Sequence, residues 1–431
     1  MNSKKHLSFT SLISGLSAYL LKLPDSRRQF SINYSIHDTM LSGLACMYIQ
    51  SPSLLAYQKD LMNKYNRCNL QTQFKIKGIP KETEMRDIID SVSGEKLAPV
   101  FKDYLTRLQR NNELINYRFQ GNKYLITLDG TQYFSSKTIH CDSCLTQETK
   151  DVVTYSHKVV QAALVNPLIK QVIPLMPEEI KNTDGSKKQD CEINAAKRLI
   201  PKIRKQHPRL SVIYLADSIY ATSPFIKDLI EHDEDYIFRV KEGDHKTLFN
   251  TMKSLDFYKK ETIDHSGRRF VYKWATEVKL NNSSDLKVNV LQLFIVTPQK
   301  DGSKKSTRTG VWVTNLDASC KNIEWLVKGG RSRWKIENEC FNTLKNQGYQ
   351  LEHNYGHGGK NLCFNFYIFT VLSFLLHQIL ELTDALYQKT RETCRTLIAF
   401  WQYVRVFFDI YIFDSWESML YEIETVKRGP P

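Results

Sequence analysis

Residues 124–131 read YLITLDGT, a short and largely apolar run that ends in Asp129, Gly130 and Thr131. A continuous apolar run of this length predicts a strand buried on both faces, and the Asp-Gly pair predicts a turn at its end. The pattern returns in residues 210–217, LSVIYLAD, where Asp217 closes the run. A helix-type segment lies between the two runs, at residues 191–206. This alternation predicts an α/β fold around one sheet.

The chain carries a formal net charge of +14, from 60 Lys and Arg against 46 Asp and Glu. A basic surface gains affinity for a polyanion by releasing the counterions of its phosphates, which favours a polyanionic partner. Charge alone does not choose between DNA, RNA and an anionic membrane. The nine cysteines stand mostly isolated in apolar segments, which indicates reduced core residues and a reducing compartment.

Hydrophobic periodicity divides the chain into five segments. Residues 1–118 have helical spacing, residues 119–256 alternate strands with helices, and residues 257–320 are β-type stretches joined by polar turns. Residues 321–382 and 383–431 return to helical spacing.

One segment, Leu362 to Leu382, is apolar and long enough to be considered as a membrane span. Asn365, His377, Gln378 and Glu381 interrupt it, and it has no partner span. We therefore predict a buried core helix and no membrane association.

The segment Arg331 to Lys345, RSRWKIENECFNTLK, contains Glu337 and Glu339. Wound at 100° per residue, it places Glu337 on the apolar face with Trp334, Phe341 and Leu344, and Glu339 on the solvent face. A carboxylate on an apolar face is costly unless it is paired or binds a metal. An ion pair with Arg333, one turn earlier, is the structural alternative.

Asp129, Asp217 and Glu337 are thus three carboxylates that two strand ends and one helix would present. Together they could hold two divalent cations about 4 Å apart, the arrangement used for phosphoryl transfer. Oxygen-only ligands favour Mg²⁺ or Mn²⁺. Each aspartate alone is more often a turn former than a metal ligand.

Three motifs carry a family resemblance: Leu128 to Thr131, Ala216 to Ser218, and Arg333 to Glu337. They resemble the acidic motifs of DDE transposases of the IS4-like superfamily. The resemblance implies an RNase H-like catalytic core formed by residues 119–256 and 321–382, interrupted by the β-rich insertion 257–320. It places Asp129 on the first strand, Asp217 after the fourth and Glu337 on a late helix.

The same resemblance implies a cut-and-paste DNA transposase. Such an enzyme would bind terminal inverted repeats, cleave the DNA there and join the freed 3′-hydroxyls to target DNA with Mg²⁺. It would act as a homodimer, in the cytoplasm of a prokaryote and in association with the nucleoid. A catalytically inactive DNA-binding protein descended from a transposase remains the alternative.

The last motif departs from the family pattern at two positions. Gly330 stands where the family has a tyrosine, and Lys345 comes one residue later than the family's lysine. Arg333 carries over as a phosphate contact, and Lys345 carries over loosely. Trp312 and Trp274 are candidates for the aromatic residue that holds a flipped base in this family, with buried core residues as the alternative.

The N-terminal domain, residues 1–118, is our choice for recognising the DNA ends. It is rich in Lys and Arg between Lys64 and Lys81, and more basic residues follow from Arg107 to Lys123. A solvated basic face is the competing interpretation.

Cys141 and Cys144 form a CxxC motif with His140 before it and His157 after it. These four residues have the types that a structural Zn²⁺ site needs. No second CxxC exists, so the cysteines are equally interpreted as small loop residues, and we do not expect zinc. A redox role is disfavoured because no helix begins at the pair.

Overall fold

The computed structural model describes residues 5–28, 32–150, 152–181, 189–298 and 304–428. It is a mixed α/β structure in which helices from both ends of the chain surround a twelve-stranded, mostly antiparallel sheet. The strands are β1 Arg118–Phe119, β2 Lys123–Ser136, β3 Leu145–Thr149, β4 Val152–Asn166, β5 Ile169–Pro174, β6 Glu178–Ile180, β7 Ser211–Ala216, β8 Asp235–Val240, β9 Tyr258–Ile263, β10 Arg269–Asn281, β11 Ser284–Pro298 and β12 Lys304–Thr314.

The helices fall into an N-terminal group, three helices along the sheet and a C-terminal group. They are α1 Phe9–Leu20, α2 Ile36–Tyr48, α3 Leu54–Asp60, α4 Lys64–Phe74, α5 Glu82–Ser91, α6 Ala98–Arg110, α7 Glu192–Gln206, α8 Ser223–Glu231, α9 Lys246–Met252, α10 Ile323–Arg331, α11 Asn342–Asn346, α12 Leu362–Thr383, α13 Ala385–Thr393, α14 Leu397–Ile410 and α15 Trp416–Arg428. A π-helical segment, Ile336–Phe341, lies between α10 and α11.

The sheet order is β3-β4-β2-β7-β8-β12-β11-β10-β9, with β1 paired to β2 and with β5 and β6 paired to β4. Strands β2, β7 and β8 are parallel neighbours, and every other pairing is antiparallel. The helices α7 and α8 form the crossovers into β7 and β8. Buried parallel strands usually have continuous apolar sequences. For this reason YLITL in β2 and VIYLA in β7 could be recognised in the sequence.

The β-type stretches of residues 257–320 extend this same sheet. Strand β12 pairs with β8 from Val311↔Val240 to Thr314↔Ile237, and β11, β10 and β9 follow outward as antiparallel neighbours. The edge of β8 is therefore covered by the chain's own later strand, so it is not left open for pairing with another molecule.

The long apolar helix α12 forms the centre of the helical part. It packs on α2, all of whose residues are buried, and on α5 and β5. Its polar groups have partners inside the protein: the Asn365 amide donates to the carbonyls of Ile89 and Val92, and the hydroxyl of Tyr349 lies 2.5 Å from Nδ1 of His377. Among the described helices, α12 alone is long and apolar enough to cross a membrane, and it is almost wholly buried.

The N-terminal helices share one continuous hydrophobic core with α12 and with the C-terminal helices. Helix α4 is joined to the segment after α14 by side-chain hydrogen bonds, for example from the Asn69 amide to the Tyr411 carbonyl at 2.7 Å. The N-terminal helices therefore pack directly against the rest of the fold.

Candidate functional site

Asp129 and Asp217 lie side by side just beyond the last paired residues of the parallel strands β2 and β7. The pairing of β2 with β7 runs from Lys123↔Ser211 to Thr127↔Leu215, and two further residues along each strand reach the two aspartates. Neighbouring strands are about 4.8 Å apart, so this register brings both carboxylates to one place. Oδ1 of Asp217 accepts a hydrogen bond from the Ile219 amide at 3.0 Å, which fixes the turn after β7.

Strand β2 does not end at Asp129, as the sequence suggested. It continues to Ser136 because β4 remains paired with it, from Leu125↔Val165 to Ser136↔Tyr155. What ends near Asp129 is the parallel pairing with β7. The Asp-Gly pair therefore marks the place where the sheet opens on one side of β2.

Arg333 joins Glu337 to this pair of aspartates. Its Nη1 lies 2.6 Å from Oε1 of Glu337 and 3.6 Å from Oδ2 of Asp129. The side chain of Arg333 is only 6% exposed, and its Nε is buried without a hydrogen-bond partner among the described residues. The ion pair that the sequence left as the structural alternative for Glu337 is therefore present, and it includes Asp129.

The helical-wheel placement of residues 331–345 is wrong in part. The Glu337 side chain is 38% exposed and Trp334 is 45% exposed, whereas Ile336 and Cys340 are fully buried. Glu339, expected to face solvent, is half-buried. The reason is the π-helical segment, whose wider turn makes the 100° step invalid. Such turns are frequent at functional sites.

A fourth carboxylate, Glu192, was missed. It is the first residue of α7, and its carboxyl group packs over Gly130, where an added Cβ would come within 2.3 Å of it. Its Oε2 accepts a hydrogen bond from the Tyr220 hydroxyl at 3.3 Å. The signal was indirect: a glycine directly after Asp129 leaves room for a neighbouring side chain, but nothing in the sequence says which one.

The neighbouring acids and burial change the pKa of Asp129 and of Glu192. Burial raises the pKa of Asp129 to about 7, the Arg333 guanidinium lowers it, and Glu337, Asp217 and Glu192 raise it. Burial and the charge of Asp217 also raise the pKa of Glu192. The charges of neighbouring carboxylates thus add to the effect of burial on Asp129 and Glu192, which is the condition a bound cation relieves.

The chemistry of the carboxylates suits a divalent cation, but their positions in this structure do not yet form a cation site. Oxygen ligands of this kind are those that Mg²⁺ and Mn²⁺ prefer. Across the described ranges, however, no three carboxylate groups each bring an oxygen to within 4.8 Å of the others. The Arg333 guanidinium lies between Asp129 and Glu337, so binding a cation there requires that guanidinium to move.

Positive and aromatic groups flank the acids. Lys241 Nζ lies 3.9 Å from Oδ2 of Asp217. The exposed ring of Trp334 makes cation–π contacts with two guanidinium groups. That of Arg239 lies 5.3 Å and that of Arg333 lies 5.4 Å from the ring centre. Burial lowers the pKa of Arg239, and the charge of Arg333 lowers it further.

Residues 180–373 match the family model of the transposase DDE domain. The matched range contains Glu192, Asp217, Arg333 and Glu337 and begins after Asp129. A search of curated proteins returns no match. The DDE-domain match supports a transposase, and a transposase domain implies an interaction with DNA.

The two tryptophans chosen as candidate DNA contacts are buried. Trp312, on β12, is 3% exposed and Trp274, on β10, is 5% exposed and stacked on Tyr258. Neither ring is presented to a ligand in this structure, so a role in holding a base stays a prediction. Trp334, whose ring adjoins the guanidinium of Arg333, is 45% exposed.

Burial of Trp312 explains why position 330 carries a glycine. A Cβ on Gly330 would come within 2.7 Å of the Trp312 ring and 2.9 Å of Ile237. The larger residue that the family has at this position could not be accommodated here. Lys345, the other departure, is exposed on α11 and pairs with Glu352 at 2.8 Å.

Three of the four residues considered for a zinc site come together, and one does not. Cys141, Cys144 and His157 form a cluster with His357, which comes from the segment before α12. His140 instead stacks on Tyr155, with ring centres 4.3 Å apart. His357 was missed because it is far away in the sequence and no spacing motif connects it to the CxxC.

Proposed function

We propose that this protein is a DDE transposase of the IS4-like type, which cleaves DNA at transposon ends and joins the 3′-hydroxyls to target DNA. The observation that carries the proposal is that Asp217 and Glu337 lie close enough to Asp129 to act on its charge, just beyond the parallel pairing of β2 with β7, with Arg333 between Asp129 and Glu337. The DDE-domain match over residues 180–373 supports the same function.

An RNase H-like core is supported by the strand order. Strands β2, β4 and β5 are the first three long strands of residues 119–256 and form antiparallel neighbours, and β7 follows α7 to pair in parallel with β2. Asp129 then lies on the first strand of the core and Asp217 directly after the fourth. This is the placement that the resemblance to DDE transposases implies.

Asp129, Asp217 and Glu337 would hold the divalent cations, with Glu192 as a further oxygen ligand. Bound Mg²⁺ or Mn²⁺ supplies the charge that activates a water or 3′-hydroxyl and stabilises the leaving oxygen. Arg333 would leave the acids when the cations bind. Its guanidinium, which has an unpartnered Nε, would then donate to a phosphate of the DNA.

DNA would approach across Trp334, Arg239 and Lys241. A base can stack on an exposed ring, and the neighbouring cations can neutralise phosphates. A second basic surface lies on the N-terminal helices, where Lys64, Arg67, Lys75, Lys77 and Lys81 are exposed.

We assign the N-terminal surface to recognition of the DNA ends, in a homodimer that holds two ends. Arg107 does not belong to that surface, because its guanidinium binds the Ser11 carbonyl at 3.1 Å and the Asp103 carboxylate at 2.7 Å.

The test is a cleavage and joining assay on duplexes that carry the DNA flanking the gene. With Mg²⁺ or Mn²⁺ the wild-type protein should nick these duplexes and transfer the 3′ ends to a plasmid. Asp217→Asn should reduce cleavage at least a hundredfold while retaining DNA binding. Asp285→Asn, which changes an exposed aspartate on the β10–β11 hairpin, is the matched control and should retain activity.

DNA binding without metal-dependent cleavage, in a wild-type protein that binds its end sequences, would contradict the proposal. The protein would then be the inactive, transposase-derived DNA-binding protein that the sequence also allowed.

A further inference from the structure

A second cluster of metal-ligand side chains lies away from the acidic site. It consists of Cys141 and Cys144 in the turn between β2 and β3, His157 on β4 and His357 in the segment before α12. One ligand atom from each of the four residues can be chosen so that all lie within 4.8 Å of one another. The acidic site uses none of these side chains.

The distances between the ligand atoms are those of a tetrahedral zinc site. With Zn–S of about 2.3 Å and Zn–N of about 2.05 Å, the edges of the tetrahedron are about 3.8 Å for S to S, 3.6 Å for S to N and 3.3 Å for N to N. In the structure the two sulfurs are 3.9 Å apart, and the two Nε2 atoms are 3.2 Å apart. The sulfur-to-nitrogen distances are 3.6 Å from Cys141 to His157, 3.3 Å from Cys144 to His157 and 3.5 Å from Cys144 to His357.

The backbone around the two cysteines is arranged as a turn that points both sulfurs inward. The Cys144 amide donates to the Cys141 carbonyl at 3.1 Å, and the Cys141 amide approaches the Cys144 sulfur at 3.5 Å. An N–H donor directed at a sulfur stabilises its thiolate, the form that binds a metal.

His357 is held in place by its own segment. Nδ1 of the ring donates to the Gly358 carbonyl at 2.8 Å, which leaves Nε2 as the free ligand atom. The residue stands between Gly356 and Gly358, both with positive φ. Asp90 fixes the following residues by accepting backbone hydrogen bonds from Gly359 through Leu362, at 2.8 to 3.1 Å.

Aromatic rings enclose the two histidines. Phe134 lies 4.5 Å from the ring of His357 and 5.8 Å from that of His157, and Tyr133 stacks on His157 at 5.9 Å. His157 itself is buried. The cluster is therefore shielded on the side of the sheet, as structural sites are.

We propose that Cys141, Cys144, His157 and His357 form a structural Zn²⁺ site. Four protein ligands complete the tetrahedron and leave no position for water or substrate, so the site is structural and not catalytic. It would fasten the end of β2, the strand that carries Asp129, to the segment that begins α12. From the sequence we did not expect zinc, and the candidate ligands included His140 in place of His357.

The experiment is metal analysis of the full-length protein purified under reducing conditions, followed by replacement of zinc with Co²⁺. We expect one zinc per chain. The cobalt protein should show the intense visible bands of tetrahedral coordination and a thiolate charge-transfer band in the near ultraviolet. A wild-type protein without zinc, and without these bands after reconstitution, would overturn the proposal.

Three variants separate this site from general effects on folding. His357→Ala should lose the zinc, and His357→Cys, which restores a ligand, should retain it. His140→Ala is the matched control, since His140 adjoins the CxxC but faces Tyr155, and it should retain one zinc per chain. If His357→Ala retained zinc, His357 would not be a ligand. If His140→Ala lost zinc while His357→Ala kept it, His140 would be a ligand in place of His357. None of these measurements depends on transposase activity.

Discussion

The guanidinium of Arg333 contacts the carboxylate of Glu337 at 2.6 Å and thereby neutralises part of a cluster of four acids. The same nitrogen lies 3.6 Å from Asp129. An internal cation thus partly neutralises these acids, and in the proposed function it would leave them if divalent cations bound. This exchange makes the effect of Arg333 on stability depend on metal.

Arg333→Ala should destabilise the metal-free protein by about 3 kcal/mol, because the buried Asp129 loses the guanidinium that lies 3.6 Å from it. The gain in melting temperature on adding Mn²⁺ should be larger in the variant than in the wild type, since no guanidinium competes for the acids. Thermal unfolding with EDTA and with millimolar Mn²⁺ measures both. Arg308→Ala, which removes an exposed pair with Glu242, should change stability by less than about 1 kcal/mol. A smaller metal response in Arg333→Ala would contradict the exchange.

Asp129→Asn should remove a pH dependence of stability. The folded-state pKa of Asp129, about 7, lies above its ordinary value of 3.8, so the folded protein binds this proton more tightly than the unfolded chain. The resulting stabilisation is complete below pH 4 and is lost as the pH rises through 7. At pH 8 the asparagine variant should be more stable, by at most about 4 kcal/mol. Urea unfolding between pH 4 and 8 in EDTA measures the slope, which Asp285→Asn should leave unchanged.

Divalent cations should stabilise the wild-type protein, because they bind the carboxylates only when the fold brings these together. At a hundred times the dissociation constant the gain is about 2.7 kcal/mol. Asp217→Ala should abolish the gain, and Glu192→Gln should reduce it. Differential scanning calorimetry with and without Mg²⁺ or Mn²⁺ is the measurement. Full metal stabilisation in Asp217→Ala would remove this aspartate from the proposed site.

The destabilisation caused by Gly330→Ala should depend on the residue at position 312. In the wild type the new methyl group meets the Trp312 ring at 2.7 Å, and such overpacking destabilises by about 1–3 kcal/mol. Trp312→Ala alone should destabilise by about 3–5 kcal/mol. In that background the contacts with the Trp312 ring are gone and the contact with Ile237 at 2.9 Å remains, so Gly330→Ala should destabilise by less than in the wild type. Chemical denaturation of the four proteins in the cycle gives the result, and equal effects in both backgrounds would refute the contact.

Trp334→Ala should weaken DNA binding with little effect on folding. Its ring is 45% exposed, and a stacked base is worth about 1–3 kcal/mol. We expect a loss of about tenfold or more in affinity for a transposon-end duplex, measured by fluorescence anisotropy at fixed salt. Trp325 is also exposed and lies on α10. Trp325→Ala should leave the affinity nearly unchanged. Equal losses in both variants would argue against a specific role for Trp334.

The strands that carry the aspartates could be predicted from the sequence because parallel strands are buried on both faces. The segment LSVIYLA is confirmed as β7, and residues 191–206 as α7. The buried helix predicted from Leu362 is confirmed as α12. In each case a local pattern of apolar residues determines the element, so no knowledge of distant residues is needed.

The remaining features depend on contacts between distant parts of the chain. The partner strand β4 keeps β2 extended beyond Asp129, a π-helical segment alters the direction of Glu337, and α7 brings Glu192 onto Gly130. His357 joins the two cysteines only because α12 docks beside the sheet. None of these has a local sequence signal, since each is decided by packing.

Strand β12 has a consequence for how the chain could be shortened. Because it hydrogen-bonds directly to β8, residues 257–320 cannot be excised as a self-contained module. A truncated chain would expose the unsatisfied backbone of β8 and invite intermolecular aggregation through it. A smaller protein with the same fold but without these strands would need another way to protect the edge of β8, such as a helix packed along it or a β-bulge that twists it away.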